Sequence, residues 1–354
     1  MRDMIIHFFR MNKCVGCLLL AFLLIPFASC KRVDDYYIEE PSLIDTIQVY
    51  GDGSSYCAFT SMVVHDGVWY LAFREGSSHI DISSVITVLR SFNGIIWSFF
   101  QTISSDNMDL RDPNLSIMPN GDLFLICGGR KRRQDGIFST KSYYARFDDG
   151  KFGEVMPLNM PRTIDDNPLC WLWRLTWNGN IGYGAVYRND GLKDRLTLVK
   201  TKDGINYEII TELEVGRIIN ETRLRFLPDQ TMVALMRSDG NGFMGVSKPP
   251  YTQWEMTQLD IYLAGQDFVF DRDIMICASR RIDYDGEKTV VYFGNLNGEF
   301  DSVIELPSYG IAGDTSYPSI IDQGDYYYVS YYSKHETVKP CIYLSKIAKG
   351  TRKQ

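Results

Sequence analysis

The chain has 354 residues, 45% apolar and 13% aromatic, enough to bury one large core or two ordinary ones. Its formal charge of −7 argues against nucleic acid or an anionic membrane surface as the main partner. Six Trp, 22 Tyr and 29 Gly favour strands and turns over helices.

In chain order the first feature is "MNKCVGCLLLAFLLIPFASCKR" from Met11: a basic start, an apolar run from Val15 to Phe27, and small residues before Cys30. The run is short for a transmembrane span, which needs roughly 20 apolar residues. It resembles a bacterial lipoprotein signal, which Met11 alone would begin. That resemblance implies loss of residues 1–29, lipidation of Cys30, and anchoring at the cell envelope, on the outer membrane or cell surface. Losing Arg2, Arg10, Lys13 and Asp3 takes the charge from −7 to −9. Residues 30–44, with the acidic "VDDYYIEE", read as a solvated tether. Of the cysteines, Cys57, Cys127, Cys170, Cys277 and Cys341 follow; an odd number cannot all pair and their spacing fits no zinc pattern. Buried free thiols are expected.

The rest of the chain repeats one hairpin six times. The copies are "CAFTSMVVHDGVWYLAFRE", "RDPNLSIMPNGDLFLICGGR", "WRLTWNGNIGYGAVYR", "NETRLRFLPDQTMVALMR", "QDFVFDRDIMICASRR" and "DTSYPSIIDQGDYYYVSYYSKHE". Their turns align at Gly67, Gly121, Gly179, Gln230, Arg272 and Gly324. Hairpins at a period near fifty residues predict four-stranded propeller blades. The expected fold is therefore all-β, a six-bladed propeller over residues 45–349, with 350–354 a tail. The last copy ends one strand short, and "DTIQVY" before the first is placed to supply it, which would remove both sheet edges. Further along most periods stand "SFNGIIW", "FDDGKF", "TKDGINY" and "NLNGEF". These resemble the Asp-box of sialidases, in which an acidic or amide side chain ties its own turn.

Propeller first strands line the axis, so the residues opening them, and those ending the second strands, meet at one mouth. These include Arg74, Arg111, Asp112, Trp173, Arg174, Arg237, Gln266, Arg280, Arg281, Asp314 and Tyr332. A ring of arginines among carboxylates suits an anionic or polyhydroxylated ligand. Trp171 and Trp173 are candidate sugar platforms.

With these motifs the chain resembles the sialidase superfamily over nearly all of its length after residue 29. "NETRLRFLPDQTMVALMR" is similar to the sialidase N-E hairpin, which implies Glu221 as the assisting glutamate and Arg237 as a clamp for a sugar carboxylate. "SYPSI" is similar to the Y-S-x-L segment, which implies Tyr317 as nucleophile. A neutral tyrosine avoids the repulsion a carboxylate nucleophile would meet from an acidic sugar. The resemblance implies an acid/base in the loop after the first hairpin, where "REGSSHIDISS" offers His79 and Asp81. It departs where sialidases carry R-I-P, since this chain reads "CAFTSM".

The leading reading is an exo-acting glycoside hydrolase removing a terminal, acidic sugar. The alternatives are a non-catalytic glycan-binding propeller, favoured by the missing R-I-P arginine, and a polysaccharide lyase acting on a uronic acid. No metal site or cofactor is expected. A monomer is expected, with a glycan as substrate and no nucleic acid partner.

Overall fold

The computed structural model describes residues 37–133, 136, 138–189 and 194–352. The signal segment and Cys30 lie outside the described residues. The regular structure described is nearly all strand, arranged in antiparallel meanders, and each of the six sequence hairpins heads one of them.

The first meander runs through Tyr56–His65, Val68–Gly76, Val85–Ser91 and Ser98–Ile103. The second comprises Asp109–Ile117, Leu123–Arg132 and Phe138–Asp148, with short edge strands Lys151–Phe152 and Met156–Pro157. Leu169–Asn178, Ile181–Asn189, Asp194–Thr201 and Tyr207–Leu213 form the third. One parallel pairing, Leu169 with Thr140, joins it to the second. Next come Ile219–Phe226, Met232–Ser238, Asn241–Ser247 and Glu255–Tyr262. The fifth is Asp267–Asp271, Ile274–Asp283, Gly286–Gly294 and Phe300–Glu305. The last has only Ser316–Gln323, Tyr326–Ser333 and Cys341–Ala348 from its own stretch of chain. Its fourth strand is Ser42–Tyr50, paired Thr46 with Ser345 and Ile47 with Leu344.

First strands touch one another in chain order, and Ser316–Gln323 returns to Tyr56–His65, closing a ring. The fold is a β-propeller. Its apolar packing is divided accordingly. Most buried clusters fill the gap between two neighbouring sheets, as Val233 and Leu235 of the fourth meet Phe268 and Met275 of the fifth, while the cluster around Phe59 joins the first and last sheets and also takes in Trp171 and Trp173 of the third. All six aligned turn residues take positive φ, from +54° at Gly179 to +91° at Gly121. A tight hairpin needs that backbone, and four of the six are glycines for which it costs nothing. The five cysteines after Cys30 are buried and unpaired.

The expected ends need correction. Residues 37–44 are not tether and 350–352 are not tail. Tyr37–Glu39 pairs with Thr351–Arg352, and Tyr37 is buried against Ile274 and Phe293. Arg352 holds the corner, donating to the Tyr37 hydroxyl at 3.2 Å and to the Asp271 carbonyl at 2.8 Å. An aromatic that can be buried and bonded outweighs the polarity of its acidic neighbours. Removing residues 350–354 is expected to cost about 2 kcal/mol or more by exposing Tyr37 and unpairing Asp271. Urea unfolding checks this, and an unchanged midpoint would contradict it.

Candidate active site

Five first strands slip register by one residue at the same height. The slips lie between Ala58 and Ser61, Arg111 and Asn114, Leu172 and Leu175, Ile219 and Thr222, and Ser316 and Ser319. Two residues there oppose one: Phe59-Thr60, Asp112-Pro113, Trp173-Arg174, Asn220-Glu221 and Tyr317-Pro318. In the fifth meander Gly265-Gln266 stands at that place, just before the strand begins, with Arg280 donating to the Ala264 carbonyl. Such bulges re-aim side chains. Phe59, Asp112, Gly265 and Tyr317 have φ of +63°, +44°, +62° and +45°. Proline is tolerated at Pro113 and Pro318 because a bulge releases the backbone from the ladder.

Three of the resulting side chains meet. The Tyr317 hydroxyl donates to Glu221 Oε1 at 2.5 Å, and Arg237 Nη1 donates to both, at 3.0 Å each. Glu221 Oε2 accepts the Gly265 N–H at 2.9 Å. Gln266 Nε2 holds the Glu221 carbonyl at 2.7 Å. Burial pushes the Glu221 carboxyl up, but the Arg237 charge and the bonds from Tyr317 and Gly265 outweigh it and leave the carboxyl below its usual range. Burial and then the Glu221 charge drive the Tyr317 hydroxyl well above the ordinary tyrosine value, against Arg237 and Arg280. At neutral pH the pair is therefore a neutral phenol donating to an ionised carboxylate. The Arg280 guanidinium lies 5.1 Å from the Tyr317 ring centre.

Gly265 is what lets this ring in. A Cβ there would fall 2.4 Å from Tyr317 Cγ. Gly265→Ala is expected to cost about 2–4 kcal/mol, from overpacking and from a left-handed backbone no longer borne by glycine. It should also displace Tyr317 from Glu221. A Tm within a degree or so of the parent would overturn this.

A second group adjoins the first through Phe59, whose ring is 5.1 Å from Tyr317 and 5.7 Å from His79. Arg111 Nη2 is 3.0 Å from His79 Nε2. Arginine only donates, so Nε2 accepts and the proton sits on Nδ1. Nδ1 then donates to the Tyr56 hydroxyl at 2.9 Å, and Tyr56 donates to Asp314 Oδ1 at 2.9 Å. Lys334 holds the other Asp314 oxygen at 2.7 Å. Burial, then Arg111 and Arg74, push the His79 pKa down to about 4. The imidazole is neutral at neutral pH and has no proton to give as an imidazolium.

Asp112 has the opposite character. It is buried, and its Oδ1 has no hydrogen-bond partner. Burial raises its pKa to about 7; Arg111 opposes this and the Glu221 charge adds to it. Among the candidate carboxylates it alone is poised to exchange a proton near neutrality.

Several expected ligand-facing residues are used elsewhere, and these are corrections. Arg74 is fully buried, donating to Asp109 at 2.8 Å and to the Ser78 carbonyl at 2.9 Å. Arg174 ties the Thr60 and Pro113 carbonyls of two neighbouring sheets. Gln266 is buried beneath Glu221. Arg281 pairs with Asp283 and Glu305, away from the Tyr317 cluster. Tyr332 is buried, donating to the Gly313 carbonyl and accepting from Arg280. Asp81 is not an acid: the Ser83 hydroxyl and Ser77 N–H hold its carboxyl below the usual range. Trp173 has no exposed face to offer a sugar, and Trp171 is nearly as enclosed, stacked on Tyr187. Of the expected set, Tyr317, Glu221, Arg237, Arg280, Arg111, Asp112 and His79 gather at the mouth. Phe59, Gly265 and Tyr56 join them unforeseen; only Asp314, noted as a mouth residue, had a sequence signal.

A cavity of about 610 Å³ lies between the third and fourth meanders, lined by Arg195, Glu212, Arg217 and Asp239 among others. It does not include the Tyr317 cluster, where Tyr317 and Glu221 are each 8% exposed.

No family model matches the chain, and no curated protein does. Solved structures match it over most of its length, and they share its fold, a β-propeller found among glycoside hydrolases. A protein of unknown function from Dyadobacter fermentans aligns at 17% identity and a TM-score of 0.76, over 87% of this chain and 99% of its own. Penicillium chrysogenum α-L-arabinanase, complexed with arabinobiose, aligns at 14% identity and 0.64, over 87% and 98%. Trypanosoma rangeli sialidase, complexed with the inhibitor DANA, aligns at 13% identity and 0.60, over 89% of this chain and 59% of the sialidase. At these identities the likeness is one of fold.

Proposed function

We propose that this protein is an exo-acting glycoside hydrolase of the sialidase type, monomeric and anchored through Cys30, that removes a terminal acidic sugar. The observation that carries the reading is the Tyr317 hydroxyl 2.5 Å from an ionised, buried Glu221 under Arg237. Tyr317 oxygen bonds to the anomeric carbon while its proton passes to Glu221. The bond from that carbon to the leaving oxygen breaks, and the leaving oxygen takes the proton of Asp112, which replaces His79 and Asp81 as acid. Water then attacks the same carbon, gives its proton to Asp112, and Tyr317 leaves with the proton returned by Glu221. Arg237, Arg280 and Arg111 would hold the sugar's carboxylate. Arg111 supplies the charge that the missing R-I-P arginine would have brought, from the next sheet.

The test uses residues 31–354 with fluorogenic glycosides that include sialic acid and uronic acids. Release of one sugar supports the reading and names the substrate. Cleavage of none, with glycan binding that survives Tyr317→Phe, would make the mouth a receptor. An ultraviolet-absorbing unsaturated product from a polyuronide would make the protein a lyase.

A further inference from the structure

We propose that the face of the propeller opposite the Tyr317 mouth rests on a lipid bilayer, with Phe92, Ile95 and Ile96 entering the headgroup region. This goes beyond the proposed reaction and rests on the anchoring through Cys30 proposed above.

Strand directions fix which residues share that face. Tyr56–His65 runs away from the mouth, Val68–Gly76 returns, and Val85–Ser91 runs away again, with Ser91 beside Trp69 at the far end. The turn from Phe92 to Trp97 therefore projects from the far face. Ser42 pairs with Ala348 and Asp271 with Ile274 at the same end of their sheets. Tyr37 is bonded to Arg352, which also bonds the Asp271 carbonyl, so the described chain begins on the far face too. From Cys30 to Tyr37 is seven residues, which span at most roughly 25 Å fully extended. An anchored Cys30 thus keeps this face close to the membrane.

The turn itself has no folding need to be apolar. Asn93 Oδ1 accepts the N–H groups of Ile95 and Ile96 at 2.9 Å each, and Ser91 Oγ accepts that of Gly94 at 3.0 Å. The turn at Thr201–Asn206 is tied the same way by Asp203, yet presents Lys202 and Asn206 to solvent. In the first meander the equivalents of Lys202 and Asn206 are Phe92 and Ile96, exposed by 73% and 74%, and Ile95, in the place of half-buried Ile205, is 65% exposed. Ile38, beside the point of chain entry, is 67% exposed. Three large apolar side chains in five residues form a patch, whereas exposed apolar residues of the mouth face come singly or in pairs on separate loops, such as Ile80 with Ile82, Ile282 with Tyr284, and Val338. Apolar tips on a tethered face are what interfacial insertion uses. The mouth then opens away from the bilayer, toward soluble glycans or those of neighbouring surfaces.

The test couples residues 30–354, a span containing the compact unit Arg32–Gln354, through Cys30 to phosphatidylcholine vesicles bearing maleimide-phosphatidylethanolamine. The other five cysteines are buried, so coupling falls on Cys30. Ile96→Trp places an emitter on the turn and Ile82→Trp one at the mouth, each measured against the parent. With brominated phosphatidylcholine the emission added by Ile96→Trp should be lost and that of Ile82→Trp kept. Adding Phe92→Ser and Ile95→Ser should restore the emission at position 96. No quenching at position 96, or equal quenching at both positions, overturns the proposal. Because the coupling is chemical, this result is independent of native lipidation. Fatty-acid labelling of the full chain against Cys30→Ser tests the anchor by itself, and neither arm depends on glycosidase activity.

Discussion

Tyr317→Phe is expected to lower kcat on the order of 10³- to 10⁶-fold on whichever glycoside the parent cleaves, the range seen when a nucleophile is removed. Stability should fall by about 1.5–3 kcal/mol, the net worth of a hydrogen bond to a charged group. The contacts that seat the ring, with Phe59, Trp173 and Tyr332, do not involve the hydroxyl. Glu221 also keeps Arg237 and the Gly265 N–H when the hydroxyl is gone. Glu221→Gln provides the contrast, because it removes the charge that Arg237 neutralises in a buried place. It should reduce turnover and also cost about 3–5 kcal/mol. Turnover by Tyr317→Phe within tenfold of the parent would exclude Tyr317 as nucleophile.

Asp112→Asn should separate stability from activity. In the folded chain the carboxyl keeps its proton until about pH 7, whereas an ordinary aspartate releases it near 3.8. The unfolded chain thus loses this proton first as pH rises. Stability from Asp112 is complete below about pH 4, declines through pH 7, and is absent above. At about 1.4 kcal/mol per pH unit, ionising the buried group costs on the order of 4 kcal/mol. Asparagine carries no such cost, so the variant should gain in Tm over the parent at pH 8 and not at pH 4. Activity should fall by roughly 10²- to 10⁴-fold, the usual contribution of a positioned acid. The parent's kcat/KM should decline as pH rises through about 7, and the variant's residual rate should lose that limb. A parent whose rate is flat from pH 6 to 8 would remove Asp112 from the role.

The fold was legible because its signals are local. A hairpin turn needs φ above zero, so glycine or a polar residue marks each period, and the alternation on either side marks the strands. The Tyr317–Glu221–Arg237 triangle was legible only through resemblance to a family, since 96 residues separate the tyrosine from the glutamate. What sequence reading missed is set by three-dimensional supply and demand. Arg74 and Arg174 look alike as strand-end charges to Arg237, yet Asp109 and backbone carbonyls consume them. Asp81 and Asp112 are both aspartates near the mouth. One is exposed to serine donors and the other is enclosed with one carboxylate oxygen unpartnered, and only burial tells acid from base. Gly265 carried no local signal, because the group that requires its lack of a side chain comes from another sheet.

The strand that completes the last sheet has a consequence for how the molecule is made. Ser42–Tyr50 is synthesised before any of the six hairpins and finds its partner only when Cys341–Ala348 follows, with Thr46 and Ser345 299 residues apart. Extending a closed loop from about 50 to 300 residues adds only about 1.6 kcal/mol of entropy, so the finished ring is scarcely weakened. The effect falls on time. Pairings so distant in sequence slow folding, and until the final strands emerge the chain carries two open sheet edges, one at each end, able to pair with other chains. A chain that stalls or is cut before Cys341 would keep five sound meanders and still be the form most prone to aggregate.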